Sequence, residues 1–457
     1  MTRTRSAWVI GVAALVLVLE AASRSAPQTG PALDPGEWRR SVEGRARNVI
    51  LFIGDGMGDS EITAARNYAR GARGHLAMDR LPFTGSYTTY AVDEAHPLQP
   101  DYVPDSASTG TAWATGTKTS NGRIATSAST DKDLPTILEI VRTLGFRTGN
   151  VTTAELTDAT PAVLGAHVAN RTCQGPSDMA KCPQDLRSAG GSGSIAEQLL
   201  DHGIDVLLGG GYARFNQRTE AGPLVLQHAI AAGYRIVTSD VGLAYVPAGQ
   251  RVLGLFATGN MSLEWKGLEA TPYPSNVKTP QTCEVNQRAP GQPSLAEMTA
   301  SALELLDRPE SGGPGFFLQV EGASIDKQDH SANPCGQIGE TIGLDAAVDV
   351  GLRFAAAHPE TLVVVTADHG HSSQIVPLPT DDDHPSGLIS VLMTADGVPM
   401  TMAYGTNGYH RSQDHTGTQV RIAASGPQAA RVVGVIDQTD LFRLILNAVG
   451  GPTAERP

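Results

Sequence analysis

The chain alternates short apolar runs with stretches whose apolar residues recur every three or four positions. "NVILFIGDG" (48–56), "GNVTTAE" (149–155), "IDVLLGGG" (204–211), "GFFLQVEG" (315–322) and "TLVVVTADHG" (361–370) read as strands buried on both faces. "LPTILEIVRTLG" (134–145), "SIAEQLLDHG" (194–203), "LAEMTASALELLDR" (295–308) and "LDAAVDVGLRFAAA" (344–357) carry helical periodicity, and several close on glycine as helix C-termini favour. Strand then helix, repeated, predicts an α/β fold. Its centre is a large, mostly parallel β-sheet flanked by helices on both faces, a three-layer α/β/α arrangement. No internal repeat is visible, and no linker divides the body, so residues 47–452 are expected to form one domain. Residues 374–415 break the alternation with loops and short strand-like pieces, and are expected to cap the sheet.

Length and charge narrow the function classes. A chain of 457 residues buries a substantial core, and its composition excludes disorder, collagen and coiled coil. The formal net charge of -13 is spread along the chain, which opposes nucleic-acid or anionic-membrane binding. An anionic substrate therefore needs a local positive site.

The N-terminus has the pattern of an export signal, residues 1–23: Arg3 and Arg5, the apolar run from Trp8 to Leu19, then small residues ending at Ser23. The run is short of the roughly 20 apolar residues that span a membrane, so cleavage rather than stable anchoring is expected, with a periplasmic or secreted product. Residues 24–46 read as an arm or linker. Cys173, Cys182, Cys283 and Cys335 permit three pairings, of which the nearest-neighbour choice is 173 with 182 and 283 with 335.

The chemistry gathers at strand ends, where ligands of open α/β sheets bind. Three runs finish in metal-ligand types: one in Asp55, one in Glu321, Asp326 and His330, one in Asp368, His369 and His371. A lone acid after a strand is ordinarily a cap or a turn residue. Carboxylates joined by imidazoles at three endings point instead to metals, with mixed Asp/His sets suiting zinc and all-oxygen sets magnesium. Asp326 and His330, four apart, share a face if their segment is helical, whereas Lys327 and Asp329 point elsewhere; Asp329 reads as a solvated or structural carboxylate. Asp368 and His369 are adjacent and converge only where the backbone turns. In "PDSASTGTAWATGTKTSNG" (104–122), Ser106 stands where a helix could begin, as an ordinary N-cap or as a nucleophile beside a phosphate-binding helix end.

Six blocks carry a family resemblance: "FIGDGMG", "DSASTGTAWATGTKTSNG", "TAELTDATPAVLGAHVANRTC", "FFLQVEGASIDKQDHSANPCGQIGET", "VVVTADHGHSSQI" and "QDHTGTQVRIAASGP". In order and from about residue 47 to 448, they resemble the bacterial alkaline phosphatases of the enterobacterial periplasmic type. The resemblance implies a broad-specificity phosphomonoester hydrolase that works through a phosphoserine and releases inorganic phosphate, with two Zn2+ and one Mg2+ per subunit of a homodimer. It casts Ser106 as nucleophile and Arg171 as the guanidinium that grips phosphate. Asp326, His330 and His415 resemble the first zinc site, Asp55, Asp368 and His369 the second, and Asp55, Thr160 and Glu321 the magnesium site. Asp158, Lys327 and His371 match residues that stand behind the ligands, and the four cysteines match the pairing given above.

Ser108, Thr109 and Gly110 depart from the alanine-rich pattern of the family's nucleophile helix, and "DHGHSS" replaces "DHAHAS". Rival readings are a phosphodiesterase or sulfatase on the same fold, or an exported metal- or phosphate-binding protein without turnover. The sulfatase formylglycine motif is absent from the sequence, and diesterases generally lack the third-metal set of Thr160 and Glu321.

Overall fold

A computed structural model describes residues 34–451, apart from 276, 278 and 309–311. The expected export signal lies outside these residues. Ten strands form the main sheet: β1 (Asn48–Gly54), β2 (Phe83–Thr88), β3 (Arg147–Glu155), β4 (Val206–Gly210), β5 (Arg235–Val237), β6 (Val252–Leu255), β7 (Phe316–Gly322), β8 (Thr361–Ala367), β9 (Val420–Ser425) and β10 (Gly434–Asp437). Their spatial order is β10-β2-β9-β8-β1-β7-β3-β4-β6-β5. Only β9 runs antiparallel to its neighbours, β8 and β2; the other pairings are parallel. The large, mostly parallel sheet expected from the sequence is therefore present.

All five strands read from apolar runs lie in this sheet. Every residue of β1, β7 and β8 is buried, as expected where helices cover both faces. The helices read from periodicity occur at Ile137–Thr143, Ile195–Asp201, Leu295–Leu306 and Pro334–Ala357, the last beginning ten residues before its apolar pattern. Thr136 with Glu139, and Ser294 with Glu297, close capping boxes that set two of the starts.

Register positions the site. Gly54 of β1 pairs with Gly322 of β7 and with Ala367 of β8, so Asp55, Glu321 and Asp368 emerge together at one carboxyl edge. Glu321 pairs in turn with Thr152 of β3. Residues 374–415, expected to hold loops and short strand-like pieces, contribute strands Leu388–Met393 and Pro399–Tyr404 and most of Ser373–Val376 to a second, four-stranded sheet completed by Thr271–Pro272. Both disulfides have the nearest-neighbour pairing, Cys173–Cys182 and Cys283–Cys335. Residues 34–46, read as arm or linker, include the helix Pro35–Glu43, capped by Asp34 and Glu37.

Candidate active site

Asp105 caps the helix Ser106–Thr115: its Oδ1 accepts from the Ser108 backbone N–H at 3.0 Å. Ser106 is thus the first helical residue and not the cap, and its hydroxyl is free for other work. Its Oγ lies 3.4 Å from Asp55 Oδ1 and 3.3 Å from His369 Nε2, in a buried position. The departures in this helix have local causes. The Ser108 hydroxyl sits 2.8 Å from Asn121 Oδ1, and a Cβ at residue 110 would come within 2.8 Å of Val163, so glycine allows that close approach.

The helix Ser324–His330 turns Asp326 and His330 to one side, as their spacing predicts. Asp326 Oδ1 lies 3.4 Å from His330 Nε2 and 3.2 Å from His415 Nε2, and the two imidazole nitrogens are 3.1 Å apart. The Nδ1 of His330 faces the Gln413 carbonyl, and that of His415 is 2.9 Å from the Pro104 carbonyl. Each Nδ1–H donates there, so both Nε2 atoms meet as acceptors and need a cation or a proton between them. Without metal the proton is held by His415: burial pulls its pKa down, but Asp326 outweighs that and pushes it up to about 9. Donors 3.1–3.4 Å apart match a tetrahedral zinc ion, whose bonds of about 2.0–2.1 Å place neighbouring ligands about 3.3–3.4 Å apart.

His371 differs. Its Nδ1 accepts from the Ser372 backbone N–H at 2.8 Å, which places the neutral ring's proton on Nε2, aimed at Asp326 Oδ1 3.3 Å away. It is oriented to steady that carboxylate, not to offer a lone pair.

Asp368 and His369 follow the end of β8, where the chain turns. His369 Nε2 stands 3.2 Å from Asp368 Oδ2 and 3.5 Å from Asp55 Oδ1, a second cluster able to hold a cation. Burial, then the His415 charge, hold His369 well below its ordinary pKa, so it offers a lone pair. The rings of His369 and His415 stack at 3.7 Å between centroids, placing the two clusters side by side. Burial first, then Asp368 and Asp326, push Asp55 well above the carboxylate range, and burial lifts Asp368 to about 6. These metal-free values are the signature of carboxylates packed together without their counter-charge.

Glu321 is also buried, accepts from Thr152 Oγ1 at 2.5 Å, and is lifted by burial to about 7. Thr160 Oγ1 and Asp368 Oδ2 are buried without a hydrogen-bond partner among the described residues. Unsatisfied buried oxygens are costly, and bound cations would satisfy them. Beside them Asp158 joins two cations: Lys327 Nζ donates to it at 2.9 Å and Arg171 at 3.0 Å, while Arg171 also donates to Asp105 at 3.1 Å. Burial pushes the Asp158 pKa up, but Lys327 and Arg171 hold it far below the ordinary range. Asp105 thus holds Arg171 from the N-cap of the helix Ser106–Thr115, a contact that emerges only from the fold.

The alkaline phosphatase profile matches residues 46–411 and 406–450. The chain is 53% identical to the alkaline phosphatase of Escherichia coli (strain K12) over 416 residues, covering 89% of this chain and 86% of that one. It belongs to the alkaline phosphatase family. It is accordingly a phosphomonoester hydrolase. The streptomycin-6-phosphate phosphatase of Streptomyces griseus is 50% identical over 453 residues, 97% of this chain and 96% of its own. Among solved structures, the alkaline phosphatase of the Antarctic bacterium TAB5 superposes with a TM-score of 0.67 at 22% identity, covering 89% of this chain and 99% of that one, and shares the fold.

Of the two alternatives given for Asp329, solvated or structural, burial removes the first. The residue is wholly buried, and neither carboxylate oxygen has a hydrogen-bond partner among the described residues. The nearby donors are already committed: Tyr404 to Gln337, Gln337 to Ser373, and Ser373 to Glu61. Burial, then Glu61 and Asp326, raise the Asp329 pKa well above the ordinary range.

Proposed function

We propose that Ser106 is the nucleophile of a broad-specificity alkaline phosphatase and that Arg171 binds the transferring phosphoryl group. The observation that carries this reading is the Ser106 hydroxyl itself, left uncapped at a helix N-terminus between Asp55 and His369. Asp326, His330 and His415 would hold one zinc ion, Asp55, Asp368 and His369 a second, and Asp55, Thr160 and Glu321 one magnesium, which suits an all-oxygen set. Bound cations would supply positive charge that favours the serine alkoxide and offsets charge on the departing alcohol.

The protein's own groups do the remaining work. Ser106 Oγ attacks phosphorus in line, forming the phosphoserine as the alcohol leaves. The Arg171 guanidinium spans two non-bridging oxygens, a bidentate grip that lysine cannot supply. Asp105 and Asp158 aim that guanidinium from either side, and the free N–H groups of the Ser106 helix add attraction for the same oxygens. Recognition centred on the phosphoryl group asks little of the alcohol, which supports broad specificity. Streptomycin-6-phosphate, for which one relative is named, is itself a phosphomonoester and belongs in the substrate panel. The N-terminal pattern and two disulfides support export to the periplasm or medium; a homodimer rests on the family resemblance.

The test compares p-nitrophenyl phosphate with bis(p-nitrophenyl) phosphate, for wild type and Ser106→Ala, supplied with zinc and magnesium. Fast monoester turnover, weak diester turnover and a loss of about three orders of magnitude or more in the variant are expected. A diester preference, or unchanged behaviour of Ser106→Ala, would overturn the assignment.

A further inference from the structure

A second imidazole-carboxylate constellation shares no residue with the reaction site. Glu139 Oε1 lies 3.2 Å from His167 Nε2 and 3.4 Å from His202 Nδ1, and all three donor atoms fall within 4.8 Å of one another. The three residues come from separate pieces of chain. Glu139 sits in the first turn of the helix Ile137–Thr143, His167 in the segment after the turn Ala159–Ala162, and His202 caps the helix Ile195–Asp201.

We propose that Glu139, His167 and His202 form a further zinc site. Three features of the site carry it. The first is spacing: separations of 3.2 and 3.4 Å are those of neighbouring ligands around tetrahedral zinc, about 3.3–3.4 Å for bonds of about 2.0–2.1 Å. The second is the state of His167. Its Nδ1 lies 3.0 Å from the Ala125 carbonyl, the backbone hydrogen bond that metal-binding histidines use to fix their tautomer. With Nδ1–H donating there, the Nε2 lone pair faces a carboxylate oxygen, and only a proton or a cation makes that contact favourable. The third is that the carboxylate is fixed in advance. Glu139 Oε2 accepts from the Thr136 backbone N–H at 2.8 Å in the capping box, which leaves Oε1 for the histidines.

The surroundings suit a three-ligand site closed by water. His167 is nearly buried, while Glu139 and His202 are about one quarter exposed, leaving a side open to solvent. Asp133 stands near His167, and Asp201 and Arg142 near His202; Arg142 is 3.5 Å from Asp205, which tempers its repulsion of a cation. His167 is also bound into place through its backbone, its N–H donating to Gln198 Oε1 at 2.8 Å and its carbonyl accepting from Gln198 Nε2 at 3.0 Å. Zinc here would clip that segment, which runs on to Arg171, to two helices at once.

The test uses zinc- and magnesium-loaded holoenzyme equilibrated at a fixed free zinc concentration. Wild type is expected to retain one more zinc per chain than His202→Ala, with monoester kcat/KM agreeing within about twofold. Glu139→Gln is expected to lower zinc content in the same way. Equal zinc content in wild type and His202→Ala overturns the proposal. Anomalous scattering at the zinc edge from wild-type crystals decides the matter independently of how the variants fold: a peak among the three side chains supports the site, and its absence beside peaks at the reaction site overturns it.

Discussion

Glu61 lies beside Asp329, 1% exposed, accepting from a serine hydroxyl and paired with no cation among the described residues. Burial lifts its pKa from 4.5 to about 7. The sign of the consequence follows from proton counting: between those values the folded state binds the proton that the unfolded state has released, so the contribution of Glu61 falls as pH rises from 4.5 to 7 and is constant above. The change is of order 3 kcal/mol at most. Denaturant unfolding of wild type and Glu61→Gln across that window is expected to show wild type losing stability relative to the variant; a flat difference would count against a raised Glu61. Such burial is invisible in sequence, because it comes from helices packed by distant parts of the chain. Asp326 and His330 were legible because four-residue spacing is a local property of a helix.

At the scale of elements, the helix Ser106–Thr115 and the Cys173–Cys182 loop lie next in sequence to the two members of the Asp105–Arg171 ion pair. Asp105→Ala removes the cap of that helix, about 1 kcal/mol, and one of the two carboxylates holding Arg171. The expected outcome is a raised KM for monoesters with a smaller change in kcat, read from steady-state kinetics. The two disulfides separate stability from binding. Closing nine positions, Cys173–Cys182 contributes about 2.5 kcal/mol by loop entropy, and Cys283–Cys335, closing 52, about 4 kcal/mol. Replacing the second pair by serine should cost more in Tm, while replacing the first should weaken inhibition by inorganic phosphate, since that loop begins two residues after Arg171. Five strands escaped the apolar-run reading: β2, β5, β6, β9 and β10. The first is glycine-broken and half-exposed, β5 and β6 are only three and four residues long, and β10 is a solvent-facing edge. Their strand character comes from neighbours already in place, whereas the central strands announce themselves because burial on both faces demands unbroken apolar sequence.

For the whole molecule, the dominant electrostatic fact is the meeting of Asp55, Glu321, Asp326 and Asp368 beneath one sheet edge in a chain of net charge -13. Chelation at neutral pH is expected to lower Tm and abolish turnover together, and zinc with magnesium to restore both. Scanning calorimetry of stripped and reloaded protein checks this; an unchanged Tm would mean that the carboxylates are neutralised in some other way. The fold class was legible because strand-helix alternation admits few layered arrangements, and most proposed ligands because they follow strand ends. His415 follows no predicted strand end, and only the family resemblance singled it out.

The antiparallel strand β9 explains its position and has a consequence in time. His415 arrives on the stretch just before β9, held against the end of β8 by the Gly370–Thr416 bridge, after every other proposed ligand has been synthesised. A nascent chain lacking that strand has most of its donors and an unclosed first cluster. With His415 in its proposed role, the hydrolase gains its full donor set only once the stretch before β9 has joined the sheet edge.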